Sequence, residues 1–268
     1  MNHEKKTGDI SITDDHSFWS LLSDAGSKFL GLDYDGTLAP FKEERMSAVP
    51  LDGIVEILEQ ISCRKDTVLA IISGRSLFEL AELLGNIPVT MVGSHGFEFR
   101  NPLGEVVVKK LSPGQGEGLV LAQRYGIEAG LRDCLEIKRA SIALHTRGIS
   151  PDEASGMYDK LYPVWERYAK THHLEARRFN GGLELRAAGW NKGDALESLL
   201  IDLPEDTFCV YIGDDETDED AFERIQPYGI GIRVGGHCPE TKARGFLEDI
   251  RSVKSFLGKW KDLVYRDR

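Results

Sequence analysis

Short apolar runs alternate with amphipathic stretches along much of this chain, the pattern of βα units laid on a parallel sheet. Residues 29–32 form an apolar run that ends at Asp33 and a turn, and residues 51–61 then read as a helix. Thr67–Ile72 has the unbroken apolar character of a buried strand and stops at Ser73-Gly74-Arg75, after which Leu77–Leu84 carries apolar residues at helical spacing. Residues 89–92 predict a third strand. Residues 98–109 predict a hairpin turning at Asn101-Pro102-Leu103-Gly104.

The rhythm then changes. Ser112-Pro113-Gly114-Gln115-Gly116 reads as a linker loop. Beyond it the spacing predicts a helix (119–131), two strands (135–139 and 141–147), a helix (151–170) and two more strands (172–179 and 183–187). Paired strands joined by tight turns imply an antiparallel sheet and a separate αββαββ module. The βα pattern resumes with a helix from Asn191, strands at 208–212 and 230–234, and a closing helix at 253–263. The expected fold class is α/β: a doubly wound core from residues 1–112 and 188–268, interrupted by an α+β insert at 113–187.

Composition narrows the function. A hydrophobic share of 41% over 268 residues supports a substantial buried core. A net charge of −11 argues against nucleic acid, whose phosphate backbone needs a basic face. An anion site in so acidic a chain must be built from a few local donors, and a divalent cation would be one of them. Cys63, Cys134, Cys209 and Cys238 show no C-x-x-C spacing, which suits reduced thiols in a cytosolic protein. The first fifteen residues are polar, and no apolar run approaches the ~20 residues needed to cross a bilayer. The expectation is a cytoplasmic monomer with no membrane or nucleic-acid partner.

Four segments carry candidate chemistry. Asp33-Tyr34-Asp35-Gly36-Thr37 follows an apolar strand directly, at the place where α/β sheets open their ligand crevice. Two carboxylates one residue apart can divide labour there, one attacking phosphorus and the other handling protons. An Asp/Gly turn after a strand accounts for the segment equally well. Ser73, Gly74 and Arg75 offer a hydroxyl, an amide and a guanidinium at a neighbouring strand end, all anion donors; a serine N-cap for the next helix is the plainer use. Lys192 opens a predicted helix, where a cation opposes the helix dipole and needs an anion such as phosphate, or solvent. Finally, six carboxylates occupy the seven positions 214–220 after a buried-type strand. A hard divalent cation with oxygen ligands relieves that repulsion, and magnesium suits a site shared with phosphate. The spacing is not that of an EF-hand loop.

Taken in this order, D-x-D-G-T, a strand-end serine, a lysine and G-D-D-x-x-D, the chain resembles the haloacid dehalogenase-like (HAD) phosphatases. The resemblance implies a Rossmann-like HAD core with Asp33 as nucleophile, Asp35 as general acid and base, and Ser73 and Lys192 as phosphate binders. It also implies a magnesium ion held by Asp33, Asp214 and the Asp35 backbone carbonyl, with Asp215 and Asp218 in support. Gly213 to Phe222 further resembles the G-D-D-x-T-D-E-x-x-F segment of trehalose-6-phosphate phosphatases, as do Leu32 to Leu38, Ile72 to Ser76, Gly93-Ser94-His95-Gly96 and Trp190 to Gly193. In that family the insert is a lid that recognises the sugar. The resemblance therefore implies a phosphorylated sugar, trehalose 6-phosphate, as substrate, with Gly74, Arg75, His95, Lys138, His145, Arg147, Asn180 and Glu184 as binding candidates.

The pairs Glu136/Lys138, His145/Arg147 and Glu184/Arg186 match the family pattern, although cross-strand structural pairing explains them as well. Asn180 stands where the family often has a basic residue, with Arg178 nearby, and Ala187 replaces a common proline. A related glycosyl phosphate stays open as substrate, and a sugar phosphomutase could share the core. A phosphorylated signalling receiver would need neither Asp35 nor the insert.

Overall fold

The apolar runs become strands because each is short and rich in residues that suit a pleated, buried surface. In the computed structural model, described for residues 11–266 apart from Glu43, Asn180, His237 and Pro239, the chain divides into two units. One runs to Val107 and resumes at Asn191; the other is Val108–Trp190.

The first unit begins with α1 (His16–Asp24) and β1 (Lys28–Leu32). It continues through α2 (Ile54–Ser62), β2 (Thr67–Ile72), α3 (Leu77–Leu84) and β3 (Thr90–Gly93) to β4 (Glu98–Arg100) and β5 (Val106–Val108). The second unit holds α4 (Pro113–Glu128), β6 (Leu135–Ile137), β7 (Ser141–His145), α5 (Pro151–His172), β8 (Leu174–Phe179) and β9 (Gly182–Ala187). The first then resumes with α6 (Lys192–Leu200), β10 (Phe208–Gly213), α7 (Glu219–Ile225), β11 (Gly229–Val234), β12 (Gly245–Leu247) and α8 (Ile250–Arg266).

The eight-stranded sheet has the order β12-β11-β10-β1-β2-β3-β4-β5. It is parallel from β12 to β3, with β4 antiparallel to β3. Period-two alternation assigns each strand residue to a face. Leu30 and Leu32 of β1, with Val210 and Ile212 of β10, enter a core closed by α1, α2, α3 and α8. Phe29, Cys209 and Tyr211 enter the opposite core, closed by α6 and α7. Helices on both faces make the sheet doubly wound, and β1 sits centrally between β10 and β2 with Leu32 level with Ile212 and Ile71. The next residues after these strands therefore emerge side by side.

The second unit is an antiparallel sheet, β6-β7-β9-β8, with α4 and α5 packed on it. Ile142, Leu144, Leu183 and Leu185 are buried along its apolar positions, and Trp165 of α5 is fully enclosed. The alternate positions carry Ser141 and His145 on β7, Glu184 and Arg186 on β9, and Arg177 and Phe179 on β8.

One expectation fails for a local reason. The Ser112–Gly116 stretch is no linker but the start of α4. Ser112 caps the helix, its Oγ accepting from Gln115 N–H while the Gln115 side chain accepts from Ser112 N–H, and Pro113 sits at the first helical position. This capping box outweighs the unfavourable propensity of Gly114 and Gly116. Helices α1 and α7 and strand β12 were not among the elements expected from periodicity. Among the described residues no helix is long and apolar enough to cross a membrane.

Trp260 of α8 is fully buried beside Phe256, with ring centroids 5.8 Å apart. Trp260→Ala is expected to lower unfolding stability by about 3–5 kcal/mol. Phe78→Ala, at a side chain 73% exposed, should change it by less than about 0.5 kcal/mol in the same denaturant titration. Equal effects would contradict the core described.

Candidate active site

Asp33 follows β1 directly, and its N–H donates to Ile212 O at 2.8 Å, so the backbone ladder itself sets the side chain at the strand end. The carboxylate is buried. Its Oδ1 lies 2.8 Å from Lys192 Nζ, and the same ammonium donates to Asp218 Oδ1 at 2.8 Å. Lys192 is the first residue of α6, whose cap is Asn191, with Oδ1 accepting from Asp194 N–H at 2.8 Å. The sequence left phosphate or solvent as the anion facing this lysine. The structure supplies two carboxylates. Burial alone would lower the Lys192 pKa, but Asp218 and Asp33 outweigh it and raise it, so the ammonium stays charged.

Asp218 is fully buried and fully used. Oδ1 accepts from Lys192 and from the Tyr211 hydroxyl at 2.6 Å, and Oδ2 accepts from the N–H groups of Asp214 and Asp215 at 3.1 and 3.0 Å. Gly31 makes this possible, because a Cβ there would press on the Tyr211 ring at 2.8 Å. Tyr211 was not singled out from sequence; a tyrosine in an apolar strand gives no sign that its hydroxyl reaches a carboxylate.

The acidic run 214–220 thus disperses into separate duties. Asp215 caps the short turn Glu216–Asp218, accepting from Glu216 N–H. Glu219 accepts from Arg233, Thr241 and Lys242 N–H. Asp214 is left with a buried Oδ1 that has no hydrogen-bond partner. Oxygens of Asp33, Asp214 and Asp218 lie within 4.8 Å of one another. Burial, more than any charge, pushes the Asp33 carboxyl well above the usual range, with Asp218 and Asp214 adding to it against Lys192. Burial followed by Asp218 pushes Asp214 up to about 7. An orphaned buried oxygen beside a second hard carboxylate fits a divalent cation. Gly36, at φ +78°, packs against Asp214 so closely that any Cβ would collide with the carboxylate.

Ser73 follows β2 and is buried. It is not the cap of α3; Ser76 is, in a capping box with Glu79. Ser73 Oγ accepts instead from Arg75 N–H at 3.2 Å, and Ser73 O accepts from His95 N–H at 3.0 Å. The His95 ring lies over Gly74, where a Cβ would strike it at 2.5 Å. Ser94 and His95 both adopt left-handed backbone, φ 50° and 56°, a conformation costly for residues with a side chain and common at functional sites. Arg75, expected as a phosphate donor, is engaged by a carboxylate. Its guanidinium is buried and forks onto Asp35, Nε to Oδ2 at 2.7 Å and Nη2 to Oδ1 at 2.6 Å.

In the second unit the polar positions of the sheet pair with one another. His145 Nε2 is 2.7 Å from Glu136 Oε2, Lys138 Nζ lies 3.4 Å from Glu184 Oε1, and Ser141 Oγ donates to that same oxygen at 2.7 Å. Arg177 is the register partner of Glu184. Arg147 lies against Gly181. Arg178 lies over the Tyr158 ring, 4.9 Å from Cζ to the centroid. Asn180 lies outside the described residues.

The profile of the trehalose-phosphatase family matches residues 31–249. The chain belongs to that family. It is 32% identical over 267 residues to a probable trehalose-phosphate phosphatase C of Arabidopsis thaliana, covering 91% of this chain and 81% of that protein. It is 31% identical over 237 residues to a bifunctional trehalose-6-phosphate synthase/phosphatase of Thermoproteus tenax, covering 87% of this chain but 32% of that protein. The match thus spans about a third of the length of that relative. The C. albicans trehalose-6-phosphate phosphatase C-terminal domain superposes with a TM-score of 0.78 at 24% identity, covering 92% of this chain and 95% of that one. A haloacid dehalogenase-like hydrolase from B. subtilis superposes at 0.59, over 87% and 99% of the two chains, with 14% identity. A doubly wound HAD-like core with an antiparallel second unit is therefore the fold of this trehalose-phosphatase family member.

The raised carboxyls have a consequence for stability. A folded-state pKa lifted from 3.8 to about 7 makes Asp214 stabilising below its unfolded pKa, and that stability is lost as pH rises towards 7. A cation competes with the proton for the same oxygens. The rise in melting temperature on adding magnesium should therefore be small near pH ~5 and grow towards pH ~8. Asp214→Asn should abolish most of that growth, whereas a magnesium shift equal at both pH values would contradict the cation site.

Proposed function

We propose that this chain is a magnesium-dependent phosphoric monoester hydrolase that cleaves trehalose 6-phosphate to trehalose and phosphate through a phosphoryl group carried on Asp33. The observation that supports it most is the placement of Asp33: a buried carboxylate at the end of the central strand, with one oxygen held at 2.8 Å by an ammonium and two further carboxylates clustered beside it. Lys192 fixes Oδ1 and so leaves Oδ2 as the attacking atom. A magnesium ion held by Asp33, Asp214 and the Asp35 backbone carbonyl would keep Asp33 ionised and draw charge from the phosphoryl oxygens.

The residues of the chain divide the two half-reactions. As Asp33 Oδ2 bonds to phosphorus, the bond from phosphorus to the sugar oxygen breaks, its electron pair stays on that oxygen, and the Asp35 carboxyl supplies the proton. A water then attacks phosphorus and gives its proton to the Asp35 carboxylate, while the bond to Asp33 breaks and phosphate leaves. Ser73 Oγ, Gly74 N–H, His95 and Lys192 serve the phosphoryl oxygens. Asp218 holds Lys192 and the 214–215 backbone in place, and Asp215 keeps the turn between them.

Substrate choice is assigned to the second unit, residues 113–187 in the sequence reading. Lys138, His145, Arg147, Asn180 and Glu184 would present donors and acceptors to sugar hydroxyls. A site built to bond hydroxyls discriminates strongly, since a wrong ligand leaves buried polar groups unpaired.

Phosphate release from a panel of phosphorylated mono- and disaccharides with magnesium tests the reading. Trehalose 6-phosphate should lead the panel, and chelation or Asp33→Asn should abolish release. Glu184→Ala should lower kcat/KM on trehalose 6-phosphate by about tenfold or more, on the order of 1.4 kcal/mol, while changing an aryl phosphate far less. Equal losses on both would place Glu184 in the fold rather than in sugar recognition.

A further inference from the structure

Arg75 is among the largest fully enclosed side chains of the protein, and a buried guanidinium is costly unless its partners are well placed. Its fork onto Asp35 satisfies both oxygens of that carboxylate. On its other sides the guanidinium meets Tyr34 and Glu79, and its Nη1 makes no hydrogen bond. Tyr34, the residue between the two aspartates, lies beneath it with the ring centroid 5.1 Å from Cζ. The Tyr34 hydroxyl donates to Ala48 O at 2.7 Å, so the ring has its own anchor. Glu79 Oε1 lies 3.7 Å from Arg75 Nη1 and 2.9 Å from Arg45 Nη2. Glu79 Oε2 accepts from the Ser76 N–H and hydroxyl at 2.9 Å each. The arginine backbone is pinned as well, its O accepting from Ser94 N–H at 2.7 Å.

A planar guanidinium facing a carboxylate fixes the plane and direction of that carboxylate as a point charge could not. Each Asp35 oxygen accepts one N–H from the fork and keeps a second lone pair for a substrate oxygen or a water. We propose that Arg75 is a positioning residue for Asp35, acting on the reaction only through that carboxylate and making no contact with the phosphoryl group. Tyr34 and Glu79 hold the fork, and the fork holds the acid and base. This deepens the hydrolase reading above and rests on it, because Asp35 carries the proton in both half-reactions.

The two roles open to Arg75 differ in a measurable way. A phosphate contact serves every phosphate ester alike. A residue that aims the proton donor matters where the leaving group needs a proton, as a sugar alkoxide does, and little where a phenolate leaves unaided. Arg75→Gln and Arg75→Lys are to be compared with the unsubstituted protein on trehalose 6-phosphate and on an activated aryl phosphate, with magnesium and rapid mixing. For trehalose 6-phosphate, kcat should fall about a hundredfold with KM changed less than about threefold. The first-turnover burst of phenolate should slow by less than about threefold. In an Asp35→Asn background, Arg75→Gln should add less than about threefold on either substrate, since the group it positions is already gone. If Arg75→Gln does not fold, Arg75→Lys keeps the charge, lacks the fork and should show the same dependence on leaving group. Equal losses on the two substrates, a shared rise in KM, or full additivity with Asp35→Asn would overturn the assignment and put Arg75 on the phosphate. No turnover of either ester by the unsubstituted protein would overturn the hydrolase reading and this assignment with it.

Discussion

The site depends on one buried ammonium. Lys192 sits between Asp33 and Asp218, 2.8 Å from an oxygen of each, where solvent cannot screen it. Without Lys192 two buried carboxylates would face each other with no counter-ion between them, and without both carboxylates the ammonium would be stranded. Three separate stretches of chain meet there: the end of β1, the first turn of α6 and the loop after β10. The insertion of a whole second unit between β5 and α6 leaves this meeting point intact, because parallel pairing of β1 with β10 sets it independently of what lies between them in sequence.

Around that ammonium the charges are sorted by how completely they are paired. Asp218 accepts four hydrogen bonds and serves as the hub of its loop. Asp35 is forked by Arg75, and Glu219 is tied to Arg233, Thr241 and the 242 backbone. What remains short of partners is Asp214 Oδ1, next to an Asp33 carboxyl whose pKa burial has pushed up. That oxygen lies in the cluster that also holds the proposed nucleophile. On the sheet of the second unit, Glu184 Oε1 is likewise held by Lys138 and Ser141.

Much of this was legible in the chain because strand ends are legible. An apolar run that stops at Asp33, at Ser73 or at Gly213-Asp214 locates the carboxyl edge of a parallel sheet, and the doubly wound order follows from βα alternation. What sequence could not show is which partner each charge takes. Arg75 next to a strand-end serine reads as an anion donor, yet the neighbouring strand brings Asp35 within 2.6 Å and claims it. Six carboxylates in seven positions read as a cation site, yet Asp215 and Asp218 bond the backbone while Asp214 keeps a buried oxygen with no hydrogen bond. The Ser112 capping box was written in the sequence and was masked by the glycines around it. The left-handed backbone at Ser94 and His95 is not signalled by residue type; both N–H groups donate to carbonyls of the 73–75 turn.

The central claim is that phosphorus becomes bonded to Asp33. The most direct measurement is to mix the Asp35→Asn protein with magnesium and an activated aryl phosphate, whose phenolate leaves without a proton donor, quench it in acid, and locate any added phosphoryl group by peptide mass spectrometry. The account predicts one phosphoryl group per chain on the peptide containing Asp33, sensitive to hydroxylamine as an acyl phosphate is, because the water that should remove it lacks its base. A phosphoryl group on another residue, or none in a protein that still releases phenolate in the first turnover, would contradict it.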